Sequence, residues 1–237
     1  MIEGLPVGLE FGIPFPGLGF HDQVIFTNAL IVMALIFISS LFIVRGISLK
    51  RPTRWQIILE GTLNWLANTM EETIGSGGSR YLPLIASLFI YVLVGNLISI
   101  IPGCVSPTSN LTHNLALALI VFFATPVVGI MHIGFKNFLK HRMGPVLALS
   151  PLFFVLETIG EFSRPVSLTI RLFGNIRGEE ILIAVINKIA SMIYYIPITV
   201  VILPLTLITG FVQAFIFALL PTIYFAGAAG WGEEEHK

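Results

Sequence analysis

Long apolar runs separated by short polar interruptions make up most of this chain, and the length of each run limits what it can be. Residues 24–44 form an uncharged apolar run of 21, about the ~20 residues that cross a ~30 Å hydrocarbon core as a helix. Similar runs occupy 81–101 and 115–135, the first carrying one polar residue, Asn96, deep inside. Between the first and second runs, residues 53–74 interleave Trp55, Ile58, Leu59, Leu63, Leu66 and Met70 with Glu60, Asn64, Asn68, Glu71 and Glu72. That spacing predicts an amphipathic helix lying in the membrane interface or against a partner. Gly75-Ser-Gly-Gly-Ser then breaks it as a flexible turn. Two longer segments follow, 151–188 and 198–226, with Tyr194, Tyr195 and Pro197 marking the turn between them and Pro204 and Gly210 as bends in the second. The 38 residues of the first extend ~57 Å as a helix, nearly twice the hydrocarbon thickness, so it must tilt by ~60° or break. Residues 1–23, with Pro6, Pro14 and Pro16, predict an irregular leader outside the bilayer and not a cleaved signal peptide. No internal repeat or linker divides the chain. The pattern predicts one all-α integral membrane domain over 1–237, with about five embedded helices and one interfacial helix.

Composition narrows the class. With 55% hydrophobic residues, 11% charged and a mean hydropathy of +0.91, the chain is too apolar for a soluble domain of 237 residues. Thirteen basic and thirteen acidic residues cancel, so no basic surface points to nucleic acid. Arg45, Lys50, Arg51 and Arg54 follow the first run, and Lys136, Lys140, His141 and Arg142 follow the third. Positive charge is retained on the cytoplasmic side, so both clusters predict an N-terminus outside and a C-terminal tail, Trp231-Gly-Glu-Glu-Glu-His-Lys, inside. A single cysteine, Cys104, excludes an internal disulfide and a cysteine-held metal cluster. His113 and His132, near the two ends of the third run, read as solvated interfacial residues, with a proton-handling role as the alternative.

The candidate chemistry lies in the segment 151–188. Arg171 stands seven residues after Arg164 in otherwise apolar sequence. An arginine cannot shed its charge, and holding one at membrane depth costs from ~3 to more than ~10 kcal/mol. At about 100° per residue, Glu157, Arg164, Arg171 and Asn175 fall within a sector of about 40°, while Glu180 lies about 180° from Arg171. The helix therefore has two polar faces. Glu161 and Glu179 add carboxylates to the same segment, although Glu157, Glu161 and Arg164 also fit a structural ion pair. On the last segment Thr206, Thr209 and Gln213 share a face, which brings Gln213 toward the preceding helix; the two threonines also fit simple helix–helix adhesion. No phosphate-binding loop, nucleophile elbow, metal-ligand set or cofactor motif is present in the sequence. A fixed cation in this setting attracts a deprotonated carboxylate and disfavours a second cation nearby. A secondary transporter or ion channel with a mid-membrane charged site is the rival class; most such transporters show internal repeats.

The block Pro-Val-Ser-Leu-Thr-Ile-Arg-Leu-Phe-Gly-Asn at 165–175, with Gln213-Ala-Phe-Ile-Phe further on, resembles subunit a of the bacterial F-type, rotary ATP synthases. Weaker matches are Gly95-Asn-Leu-Ile-Ser-Ile-Ile-Pro-Gly, Ser106-Pro-Thr-Ser-Asn-Leu and Glu157-Thr-Ile-Gly-Glu-Phe-Ser-Arg-Pro. The resemblance implies a stator subunit of the bacterial inner membrane, its last two helices forming a tilted hairpin against a ring of c subunits, with a b-subunit peripheral stalk as a further partner. It implies that Arg171 is the essential stator charge, that Asn175, Glu180 and Gln213 line the ion path, and that Glu157 lies toward the cytoplasmic exit. Protons are the expected ion, sodium the alternative. Two departures stand out: Thr206 occupies a position where some relatives carry a histidine paired with the carboxylate at Glu180, and Glu179 stands where many carry a small residue.

Overall fold

The computed structural model describes residues 20–46, 54–75, 77–101, 105–142, 150–193 and 199–229. Most of the leader, Cys104, the turn at Tyr194, Tyr195 and Pro197 and the acidic tail lie outside them. The described chain is all helix and short connections: α1 (Phe20–Gly46), α2 (Arg54–Ile74), α3 (Leu82–Leu97), α4 (Leu111–Ile133), α5 (Phe135–Arg142), α6 (Ser150–Ile193) and α7 (Thr199–Ala229), with single 3-10 turns at Gly78–Tyr81, Ile98–Ile100 and Pro107–Ser109. Among the described residues three stretches are long and apolar enough to cross a membrane, Gly78–Ile100, Leu111–Ile133 and Leu203–Ala229, and Phe26–Phe42 adds a shorter apolar helix. This is an all-α membrane protein.

Local sequence explains the boundaries. Asn110 caps α4 by accepting the backbone N–H groups of Thr112 (2.7 Å) and His113 (3.2 Å), donors that the first helical turn otherwise leaves orphaned. The break between α2 and α3 turns through Gly75 (φ 87°) and Gly77 (φ 113°), backbone conformations that a side chain resists. Within the helices, Thr158, Thr169, Thr209 and Thr222 each return their hydroxyl to a carbonyl one turn back, which satisfies a donor where no water is at hand.

α7 is the central strut and packs against α2, α3, α4 and α6. The core gathers Leu66, Met70 and Ile74 of α2, Ile85, Phe89 and Val92 of α3, Ala118 and Val121 of α4, Leu168 and Leu172 of α6, and Phe217 and Phe225 of α7. The later half of α2 therefore buries Leu66, Met70 and Ile74 against protein while Ile58 near its start stays exposed, and Trp65 lies over Phe215 with ring centroids 4.7 Å apart. α1 packs loosely against α3 and the Pro107–Ser109 turn, tied there by Asn28 Nδ2 donating to the Val105 carbonyl at 2.8 Å. α1 and α4 thus both start beside that turn, the far end of the bundle, and run toward a common basic end marked by Arg45, Arg54 and Lys136.

α6 is a single unbroken helix of 44 residues, longer than the 151–188 expectation. The stretch Ile-Ala-Ser-Met-Ile at 189–193 contains no breaker, which lets the helix run on through Ile193. Pro165 lies inside it, as Pro204 and Pro221 lie inside α7, without ending either helix.

Candidate functional site

The packed stripe of α6 is defined by Leu168, Leu172 and Ile176, all 2% exposed or less. Measured from Leu172 at 100° per residue, Arg171 sits about 100° to one side and Glu180 about 80° to the other. The two polar faces therefore flank the stripe that buries the helix. Arg171 is exposed, and among the described residues no carboxylate lies within ion-pair reach of it. Beside it Ile170 is 58% exposed, and Gly174 and Gly178 have open space within 4 Å of where a Cβ would be. Around Arg171 this face of α6 offers glycines that let another helix approach closely. Asn175 is half-buried between Arg171 and the stripe.

Toward the basic end, Arg164 stacks its guanidinium over the Tyr224 ring at 4.9 Å and reaches Glu157 at 4.0 Å, with both side chains part-exposed. A contact that long is worth little by itself. Glu161, Arg164, Pro165 and Thr125 border a cavity of about 30 Å³, room for a water molecule. It sits where Pro165 withholds the N–H that would meet the Glu161 carbonyl.

Toward the far end the neighbouring carboxylates part company. Glu180 Oε2 accepts from Arg177 Nη1 at 2.9 Å, a partner that the sequence reading passed over although an arginine and a glutamate three apart on a helix are natural neighbours. Glu179 falls on the packed stripe, about 20° from Leu172, and its Oε1 is buried without a hydrogen-bond partner. On α7, Thr206 and Gln213 are both 6% exposed, and Thr209 shares its hydroxyl with the Leu205 and Thr206 carbonyls. Gln213 Nε2 is also buried and unpartnered.

A second polar group is built at the far end. Ser106, Thr108, Ser109 and Asn114 are wholly buried. The Thr108 hydroxyl donates to Asn96 Oδ1 (2.8 Å), Asn96 Nδ2 donates to the Gly210 carbonyl (3.3 Å), the Ser106 hydroxyl donates to the Gly95 carbonyl (2.7 Å) and Asn114 Nδ2 donates to the Thr108 carbonyl (2.7 Å). Gly210 lies close against Asn96, where a Cβ would stand 3.4 Å from the Asn96 side chain, at van der Waals contact. The signal in the sequence was Asn96, a lone polar residue deep in an apolar run. His113 is half-buried, with its Nε2 2.9 Å from the Tyr91 hydroxyl, which corrects its reading as a simply solvated residue. Ring stacking explains the difference: α3 brings Tyr91 alongside the imidazole at 5.7 Å between centroids.

The family model described as ATP synthase A chain matches residues 26–226. The chain belongs to the ATP synthase A chain family. Among its curated relatives, a protein named ATP synthase subunit a from Trichlorobacter lovleyi is 41% identical over 215 residues, covering 91% of this chain and 89% of the relative. The one from Geobacter sulfurreducens is 40% identical over 215 residues with the same coverage, and that from Aquifex aeolicus is 35% identical over 224 residues, covering 91% of this chain and 99% of the relative. Membership in this family makes the protein an integral membrane subunit of an ATP synthase complex, and the face that carries Arg171 lies inside the matched region.

Proposed function

We propose that this chain is the stator a subunit of a bacterial F-type ATP synthase, and that its α6–α7 hairpin lies against the ring of c subunits and carries protons to and from the ring carboxylates through two offset half-channels. The observation that carries this reading is Arg171, a guanidinium with no carboxylate partner among the described residues, exposed beside the open glycines Gly174 and Gly178. A permanent cation on such a face attracts a deprotonated carboxylate and repels a free cation. It is the seal between the two paths. Each proton crossing ~100 mV releases ~2.3 kcal/mol, which becomes rotation only if that leak is closed.

In this reading Glu180, Glu179, Asn175 and Gln213 belong to the far-end path, which opens outside, and Glu157 and Glu161 to the basic-end path, which opens to the cytoplasm. Arg164, Thr206 and Thr209 have packing and secondary roles. The 44 residues of α6 span ~66 Å, so the helix lies steeply tilted and wraps the ring instead of crossing the bilayer directly. The N-terminus is outside, the tail inside, and residues 1–237 form one membrane domain. A b-subunit stalk holds the assembly.

The test is to purify the membrane complex through this chain, identify its companions, and reconstitute it. Co-purification of a c-ring with a soluble catalytic head supports the proposal; solute transport by the chain reconstituted alone would favour the transporter reading. Sodium stimulation of ATP hydrolysis at fixed pH would replace protons with sodium as the coupling ion.

A further inference from the structure

We infer that the gap between α1, α2 and α3 binds one anionic phospholipid, with its acyl chains inserted between the helices and its phosphate held at the basic end by Arg45 and Arg54. The inference goes beyond the ion-carrying role proposed above and needs none of it, only that the chain is embedded in a bilayer.

α1 is attached at one end. Thr27, Asn28, Ala29 and Val32 are buried, and Asn28 Nδ2 donates to the Val105 carbonyl. Beyond Val32 no described side chain of α1 is buried. The helix stands away from α2 and α3 there, leaving a gap of about 1140 Å³ on one of its faces and about 650 Å³ on another. The two gaps meet at Leu63 and Ile90, which border both. The floor of the larger one is the core itself, since Leu66 and Phe89, 2% and 1% exposed, line it. That separates it from the ordinary lipid-facing surface of the bundle. An empty apolar space forfeits dispersion contacts along its whole lining, and water finds few partners in it, so in a bilayer hydrocarbon fills it.

Depth chooses the occupant. Along α1 the larger gap runs from Ile31 to Phe42, ~17 Å of helix axis, close to the ~15 Å of a single leaflet. The buried Val32 and the tie at Asn28 close its far end. A spanning helix needs the full ~30 Å, so a partner helix lodged in this gap would be stopped halfway. A lipid is one leaflet long and carries its head at the interface, which matches a gap closed at mid-membrane and open at the basic end.

Charge sets the head group. Measured round α1 from Arg45 at 100° per residue, Ala34 and Ile38 lie within about 20° and Ile31 within about 40°, and all three line the larger gap. On the α2 wall Arg54 stands one turn before Ile58 and about 40° from it, and Ile58 lines the same gap. Both arginines are exposed, and among the described residues neither has an ion-pair partner. The first carboxylate along α2, Glu60, accepts from Gln56 Nε2 at 2.7 Å, while Glu71 and Glu72 stand in the last turn of that helix. Guanidinium groups take phosphate through paired N–H donors, and their apolar stems can lie along hydrocarbon while the charge reaches the interface. Basic pockets between membrane helices hold anionic head groups in this way.

The experiment titrates the purified whole complex in neutral detergent with dioleoyl phosphatidylglycerol or dioleoyl phosphatidylcholine. Native mass spectrometry reads the lipid retained, and co-purification of the ring checks the assembly of each variant. An arginine near an anionic lipid supplies ~1 kcal/mol, ~5-fold at 1.36 kcal/mol per decade. Arg45→Gln and Arg54→Gln should therefore each weaken phosphatidylglycerol binding ~5-fold, and together they should abolish the preference over phosphatidylcholine. Raised salt should erode the same preference in the wild type. A phosphatidylglycerol carrying a photoreactive diazirine at mid-chain should label the wild-type complex at residues 31–42 and 58–66, a readout that does not depend on any variant folding. Ala34→Trp, which fills the gap, should suppress that labelling. Equal affinity of the wild type for the two lipids, a preference that survives the loss of both arginines, or labelling confined to other parts of this chain overturns the inference. So does a Leu35→Cys chain that cross-links to a companion protein in the membrane, which would give the gap a protein occupant. None of these outcomes bears on the pumping of Arg171→Ala, so failure here and failure of the stator reading are separate results.

Discussion

Arg171→Ala isolates the charge from the fold. The side chain is exposed and has no ion-pair partner among the described residues, so its removal should change the stability of the chain by no more than about 0.5 kcal/mol. A ring carboxylate passing at 4 Å, by contrast, gains on the order of 4 kcal/mol from a unit cation at an effective dielectric of ~20. At 1.36 kcal/mol per decade that is about a thousand-fold in the preference for the anion at this point. The complex should therefore assemble in normal yield, ATP-driven proton pumping should fall below about a hundredth of wild type, and passive proton conductance should rise in vesicles stripped of the catalytic head. Arg171→Lys should also fail, because a lysine concentrates its charge, can lose its proton when desolvated and lacks the delocalised fork. Dye quenching by a pH gradient reads pumping and leak in the same vesicles. Normal pumping by Arg171→Ala, or a leak raised instead by Glu180→Gln, would refute the assignment of the seal.

Asn96→Leu should destabilise the chain by about 1–3 kcal/mol for each buried group it leaves unpaired, the Thr108 hydroxyl foremost, seen as a lower midpoint of unfolding in detergent; an unchanged midpoint would show that the far-end network is not structural. Leu172→Ala, at a position that is 0% exposed, should cost about 2–5 kcal/mol, while Ile170→Ala on the open face stays within about 0.5 kcal/mol; equal losses would mean that the packed stripe is assigned to the wrong side of α6. A cysteine placed at position 140 should react with a membrane-impermeant thiol reagent only from the cytoplasmic side, and labelling in intact cells would invert the topology.

What the sequence determined by itself was everything that depends on composition and local spacing. Apolar runs of spanning length are enough to decide an all-α membrane protein, because in a bilayer a backbone has few other ways to satisfy its hydrogen bonds. One-dimensional spacing was also enough to set Arg171 and Glu180 on opposite faces of one helix, since helical geometry turns a nine-residue separation into about 180°. What spacing cannot supply is the orientation of that helix relative to its neighbours. Only the packing of α4 and α7 against Leu168, Leu172 and Ile176 decided which of two adjacent glutamates points inward, and so separated Glu179 from the Arg177–Glu180 pair. The same holds for Asn96, Ser106, Thr108 and Asn114, which α3, the Pro107–Ser109 turn and α4 bring into one buried hydrogen-bonded group. Their partners are set by three-dimensional approach, which carries Asn96 to the α7 backbone at the Gly210 carbonyl, and no periodicity along the chain encodes that approach.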